Sequence, residues 1–196
     1  MAITNYGELK SAVVGRARRT DLTSLVPDFI RSAHDVITAT VAVTTTVSAD
    51  AATEALPSDF REVVAVMAET FPARPLEIVH AGQVTAGGSG APRFYRVSGS
   101  DLYLYPTPDQ AYPVRLLYKL ARAMFSADSD TNTVLARYPF LYLYGAMAEV
   151  FAHTRDLEQE AKYRQLFASG LDEAERVEID SFYGNLTLQP SVTGVV

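Results

Sequence analysis

Few residues in this chain have the types and spacing that chemistry needs. Asp128-Ser-Asp130-Thr-Asn132 matches the first half of a calcium loop, in which alternate side-chain oxygens surround the ion. The second half fails, because Thr133 stands where a glycine must turn the loop and Pro139 where a bidentate glutamate is required. A polar loop of turn-forming Asp and Asn is the simpler reading. Gly87 to Gly90 would cradle a phosphate only if a Lys-Ser/Thr pair and a helix followed. Ala91-Pro92-Arg93 follows instead, and proline lacks the donor N–H. His34, His80 and His153 are far apart and none has His-x-x-x-His spacing; no Gly-x-Ser-x-Gly elbow is present. The carboxylate pairs Glu158/Glu160 and Asp172/Glu173 belong to a helix surface, where Glu158 and Lys162 are spaced for an i,i+4 pair.

Arg16, Arg18 and Arg19 form the one basic cluster and suit the solvated end of a helix. Arg93-Phe-Tyr-Arg96 with Tyr103 and Tyr105 has the makings of a stacking platform for single-stranded nucleic acid. Two features argue against that use. Leu102 and Leu104 alternate with the tyrosines, so the strand is apolar on both faces and suits burial between a sheet partner and another subunit. The chain also carries 17 Lys+Arg against 23 Asp+Glu, a formal charge of −6, and counterion release requires clustered cations. The absence of cysteine excludes disulfides, thiolate zinc sites and cysteine nucleophiles. No catalytic constellation, metal set or cofactor site is legible in these residues, and the protein reads as a non-enzyme.

The elements that position these residues fall into three zones. With 196 residues, 48% hydrophobic and 20% charged, the chain is long enough for one domain with its own core. Residues 5–37 read as two antiparallel helices, the first capped by Asn5 with Glu8 as reciprocal partner. Residues 40–120 read as strands: β-branched Thr40 to Ser48, then Arg61 to Met67 after a Leu56–Phe60 turn. A hairpin follows, with Phe94 to Val97 and Leu102 to Tyr105 flanking Ser98–Asp101, and Val114 to Leu120 is expected as its third strand. Residues 134–183 read as helices again, with Phe140, Tyr144, Met147 and Phe151 on one face and Asp156 capping the last helix. The expected fold is α+β, a helix pair at each end packed as a bundle with an inserted antiparallel β region. Residues 1–183 form one domain and 184–196 an extended tail without helical period. Tyr138 to Phe151 contains Pro139 and Glu149 and is too short to span a bilayer. The N-terminus lacks a signal-peptide pattern, so a soluble protein, cytosolic at synthesis, is expected.

Three groups of segments carry a resemblance when taken in order. The first is Thr4-Asn-Tyr-Gly-Glu-Leu-Lys with Arg19-Thr-Asp-Leu and Val26-Pro-Asp-Phe-Ile-Arg31. The second is Leu56-Pro-Ser-Asp-Phe-Arg-Glu62 with Pro75-Leu-Glu77. The third is Ala91-Pro-Arg-Phe-Tyr95, Gly99, Leu104-Tyr-Pro-Thr-Pro-Asp109, Tyr112 and Leu117-Tyr118, then Tyr138-Pro-Phe-Leu-Tyr-Leu-Tyr-Gly-Ala146. Over about Thr4 to Tyr163 the chain resembles the head–tail adaptor, or connector, proteins of tailed double-stranded DNA phages and prophages.

That resemblance implies a virion protein at the head–tail junction, in a ring of twelve copies below the portal protein. The ring would extend the channel through which double-stranded DNA passes without specific binding, and would present a platform to a tail, nozzle or stopper protein. The tail residues Leu186, Leu188, Val192, Val195 and Val196 are the expected portal contact, adding a strand to a partner's sheet. Tyr103, Tyr105 and Tyr142 are the expected aromatic anchors of the subunit or tail interface. Two other readings stay open: a head-completion stopper or tail terminator, and a small α+β enzyme whose site assembles in space from the histidines and nearby carboxylates.

Overall fold

The computed structural model of the chain describes residues 3–70, 73–80, 82–83, 88–121 and 123–184. Helix α1 (Tyr6–Ala17) begins as its sequence predicts, with Asn5 Oδ1 accepting from the Glu8 N–H at 2.9 Å. The Glu8 carboxylate reaches back one residue further than expected, to the N–H and hydroxyl of Thr4 at 2.6 and 2.7 Å. Those bonds hold the Glu8 carboxyl below its usual range. α2 (Val26–Thr40) has Pro27 in its first turn, where the missing N–H costs nothing, and runs past its expected end at residue 37. A short α3 (Thr133–Arg137), α4 (Pro139–Thr154) and the long α5 (Leu157–Tyr183) follow the sheets. Asp156 caps α5, accepting from Gln159 N at 3.1 Å.

α4 is the centre of the helical layer, packed between α2 and α5 with α1 alongside. Gly145 permits this, because a Cβ there would lie 2.6 Å from that of Ala33 and 3.1 Å from the Phe167 ring. The core takes almost every side of α4, including Leu141, Tyr142, Leu143, Ala146 and Val150. Of the residues expected on one apolar face, Met147 is buried in the core, while Phe140, Tyr144 and Phe151 form a rim ring against ring with Tyr163, and Phe140 is 55% exposed. Tyr6, Phe125 and Tyr142 join the starts of α1 and α4, while Phe29 and His153 join the start of α2 to the end of α4. The ends of α1 and α4 and the starts of α2 and α5 therefore share one end of the layer.

Both α1 and α4 close on an arginine in the left-handed region, Arg18 at φ 52° and Arg155 at φ 59°. Any side chain costs about 1 kcal/mol there relative to glycine. A guanidinium at the negative end of a helix offsets part of that.

The β region forms two sheets. In the first, β1 (Ala42–Ala49), β8 (Tyr112–Leu120), β3 (Phe60–Ala68) and β4 (Arg74–Pro75) lie in that order. In the second, the order is β2 (Thr53–Ala55), β7 (Asp101–Tyr105), β6 (Phe94–Ser98) and β5 (Glu77–Ile78). All pairs are antiparallel except β5–β6. The predicted hairpin forms, with Ser98 opposite Asp101 and Gly99 at φ 63° in the turn. The expected third strand of that meander does not join it: β8 crosses to the first sheet and pairs with β1 and β3. Its burial explains why. Val114, Leu116, Tyr118 and Leu120 are buried on one face, Arg115 and Leu117 on the other, and a strand buried on both faces belongs at a sheet's centre. The α+β architecture, helices at both ends around an inserted β region, stands as read, with one main core shared by helices and sheets.

The second half of α5 leaves the helical layer and lies against the first sheet, burying Ala174, Glu178 and Phe182 at i, i+4 and i+8. Glu178 is 2% exposed. Its carboxylate accepts from the Thr44 N–H of edge strand β1 at 2.6 Å, from Arg137 at 2.8 and 3.0 Å, and from the Tyr138 hydroxyl at 2.9 Å. Thr44 Oγ1 also donates to the Glu178 carbonyl at 2.9 Å. Four residues on, buried Arg115 of β8 pairs with Glu69 and donates to the Ser181 and Phe182 carbonyls at 3.1 and 2.8 Å. On β3's side, Asp59 accepts from the Tyr118 hydroxyl at 2.8 Å and the Thr133 hydroxyl at 2.7 Å, tying the sheet to the start of α3.

Glu178→Ala leaves the buried Thr44 N–H without its acceptor and takes one partner from the half-buried Tyr138 hydroxyl, and is expected to cost about 3 kcal/mol in urea unfolding. A loss under 1 kcal/mol would remove Glu178 from its structural role. Burial, then the bonded carboxylates Asp59 and Glu178, push the Tyr118 and Tyr138 hydroxyls up to about 12 from the ordinary 10.0. A raised folded-state pKa contributes stability that is complete below the unfolded value and is lost as pH rises through the folded one. Unfolding free energy should therefore hold level up to about pH 10 and fall between about pH 10 and 12. The same titration followed by phenolate absorbance should show these tyrosines ionising after the exposed ones.

Candidate binding surface

The residues with chemical potential do not converge. His34 is buried between α2 and α4 against Tyr142 and Phe125. His153 lies at the far end of α4 against Phe29, and the His80 N–H donates to Gln83 in the β region. Asp130 is spent on the turn before it, accepting from the N–H groups of Ser126 and Ala127 at 2.7 and 2.8 Å, which holds its carboxyl below the usual range. Asp128 pairs with Lys10 at 2.6 Å. Among the described residues no three acidic or histidine side chains form a set able to hold a metal ion. On α5 the expected Glu158/Lys162 pair gives way to Arg164, which meets Glu160 at 2.8 Å and Glu149 at 3.6 Å.

The second sheet presents the surface that the sequence singled out. Register places Arg96 opposite Tyr103 and Phe94 opposite Tyr105, all four half-buried on the outer face. The Arg96 guanidinium lies over the Tyr103 ring, 4.6 Å from its centroid. Tyr95, Leu102 and Leu104 alternate with them and are buried in the core. Leucines inside and aromatics outside follow from the period-two pleat.

Tyr142, the third expected anchor, is instead a core residue with 0% exposure. It sits on the inward side of a helix buried nearly all round, where spacing cannot say which aromatic faces out. Its hydroxyl accepts from the Asn132 amide at 2.8 Å and lies 3.0 Å from His34 Nδ1. Asn132 is itself oriented by capping α3, its Oδ1 accepting from Leu135 N at 2.7 Å. Burial pushes the Tyr142 hydroxyl far above its ordinary value. Leu186, Leu188, Val192, Val195 and Val196 lie outside the described residues.

Sequence reading missed the polar groups that join elements. Glu178 had one legible signal: it is the acidic residue on the Ala174–Phe182 stripe that points inward. Asp59 and Asn132 read only as turn-forming residues, and Arg115 gave no signal, since it is an ordinary surface type until its partner is known.

Fold and surface together define an α+β protein whose internal polar groups bind helix to sheet and whose outward feature is an aromatic sheet face. The chain belongs to the SU10 adaptor protein family, whose model matches residues 4–189. It is thus a phage adaptor-type structural protein and a virion component that works with other phage head and tail proteins. No curated protein matches it. Among the described residues no helix is long and apolar enough to cross a membrane.

Tyr142→Phe removes the hydroxyl that His34 Nδ1 and the Asn132 amide share and should lower stability by about 1–3 kcal/mol, and Tyr142→Ala by about 3–5 kcal/mol. Thermal melting of the single subunit reads both. An unchanged melt with lost assembly would return Tyr142 to the surface.

Proposed function

We propose that the protein is the head–tail adaptor ring of its phage: it binds the portal, extends the DNA channel and offers the tail its attachment platform. Twelve copies, as the resemblance implies, make the ring. The family supports an adaptor-type role. The observation that carries the finer reading is the outer face of the second sheet. Phe94, Arg96, Tyr103 and Tyr105 put aromatic rings and a stacked guanidinium side by side, the composition of interface anchors. Tyr103 and Tyr105 serve in this reading as contacts to a neighbouring subunit or to the tail, and the DNA passes without a specific grip.

The portal contact falls to residues 184–196. Arg115 holds the end of α5 on the sheet, so the chain leaves the domain from a fixed point at Gly184. Residues 185–196 contain no Asp, Glu, Lys or Arg, and carry Leu186, Leu188, Val192, Val195 and Val196. Fully extended they span about 40 Å at about 3.3 Å per residue, enough to reach into an adjoining ring.

Deleting residues 184–196 is the direct test. The truncated chain should keep the circular dichroism and melting temperature of the full chain and lose co-sedimentation with the cognate portal ring. Tyr103→Ala with Tyr105→Ala should leave portal contact in place and weaken assembly or tail attachment. Unchanged portal binding by the truncated chain would refute the tail contact.

A further inference from the structure

Exposed charges of opposite sign gather at the two ends of α5. At the end of the helical layer shared by α1, α2, α4 and α5, Arg16, Arg18 and Arg155 are exposed and make no ion pair among the described residues. Of the carboxylates there, Asp21 is held by Arg19 at 2.7 Å and Asp156 caps α5, while Glu158 and Asp28, in the first turn of α2, are exposed. Leu157, two residues from Arg155, is 75% exposed. α5 has 27 residues and is about 40 Å long. Its far half carries Asp172, Glu173, Glu175 and Asp180 on the outside against the single cation Arg176, which is taken by Glu173 at 2.6 Å and Asp180 at 3.4 Å. A shallow depression there is lined by Asp172, Glu175, Arg176, Ile179 and Asp180, with Ile179 39% and Tyr183 48% exposed.

We propose that the arginine end of one copy docks on the acidic outer face of the second half of α5 in the next copy. This rests on the ring reading above and names its contact. The two patches are too far apart to meet within one subunit. A two-fold contact with α5 antiparallel would pair the same two patches twice and close at a dimer. A head-to-tail contact also satisfies both patches and repeats around a ring, which is the form the ring reading requires. It also covers apolar surface on both sides, Leu157 against Ile179 and Tyr183. The backbone adds a second indication: Arg18 and Arg155 hold left-handed positions that glycine fills without strain, so the arginines serve the surface at some expense to the fold.

Full-length R18E/R155E and D172R/D180R variants test this, with assembly on the cognate portal ring read by sedimentation velocity. Each variant alone should need about tenfold more protein, or more, to assemble. An equimolar mixture of the two should assemble near the wild-type concentration, because each then offers its partner the opposite charge. Raised salt should weaken wild-type assembly. R18G/R155G serves as the folding control: its melting temperature should be at least that of wild type, yet its assembly should weaken. Variants that assemble like wild type, or a mixture that does not recover, overturn the contact while the ring reading stands. Loss confined to the arginine variant also overturns it and assigns that end to another anion. A wild-type chain that stays a single copy with and without portal overturns the ring reading and the contact together.

Discussion

The structure depends on one buried carboxylate more than on any other polar group. α5 is too long for the helical layer in which it starts: its first half packs on α4 through Tyr163, Phe167 and Leu171, and its second half must settle on a sheet. That half buries only Ala174, Glu178 and Phe182, too little apolar surface to choose one position along the sheet. Glu178 makes the choice by accepting at once from the edge of β1 and from Arg137 and Tyr138, which flank the α3–α4 junction. Helix, sheet and junction meet at two oxygens. A buried carboxylate is costly unless it is fully bonded, so any other register of α5 strands it.

Two consequences reach the surface. Thr44's N–H lies on the open edge of β1 and would template another strand; the carboxylate removes it from that use. At β3, register shifts near Phe60/Glu62 and Val63/Ala65 disrupt the part of its edge that β4 leaves uncovered. The subunit is thereby protected from indiscriminate strand pairing, which suits a protein that must associate in a defined geometry. Arg115 completes the arrangement by receiving the last carbonyls of α5, so the departing chain starts from a rigid point.

Much of this was legible in the sequence, and the failures share a cause. Local signals read true: Asn5 and Asp156 as caps, the Ser98–Asp101 turn, the succession of helical and strand zones. Each is decided by residues within a turn of one another. What failed needed knowledge of a distant partner. β8 was placed with its sequence neighbours β6 and β7, though its double-sided burial marks a central strand of another sheet. β2, β4 and β5 are two or three residues long, below the length at which alternation is a signal. Tyr142 was read as exposed because α4 is apolar around most of its circumference, leaving periodicity nothing to contrast. Glu178 and Thr44 are 134 positions apart. The Tyr103/Tyr105 face was readable because a strand has only two faces, and the leucines between them claimed the inner one.

An adaptor-type protein acts by assembly. The most direct measurement is the mass of the purified protein in solution, alone and after mixing with its cognate portal ring. Free subunits should convert into a ring-sized complex on the portal. A protein that ignores the portal and keeps its own small oligomer would contradict the ring reading.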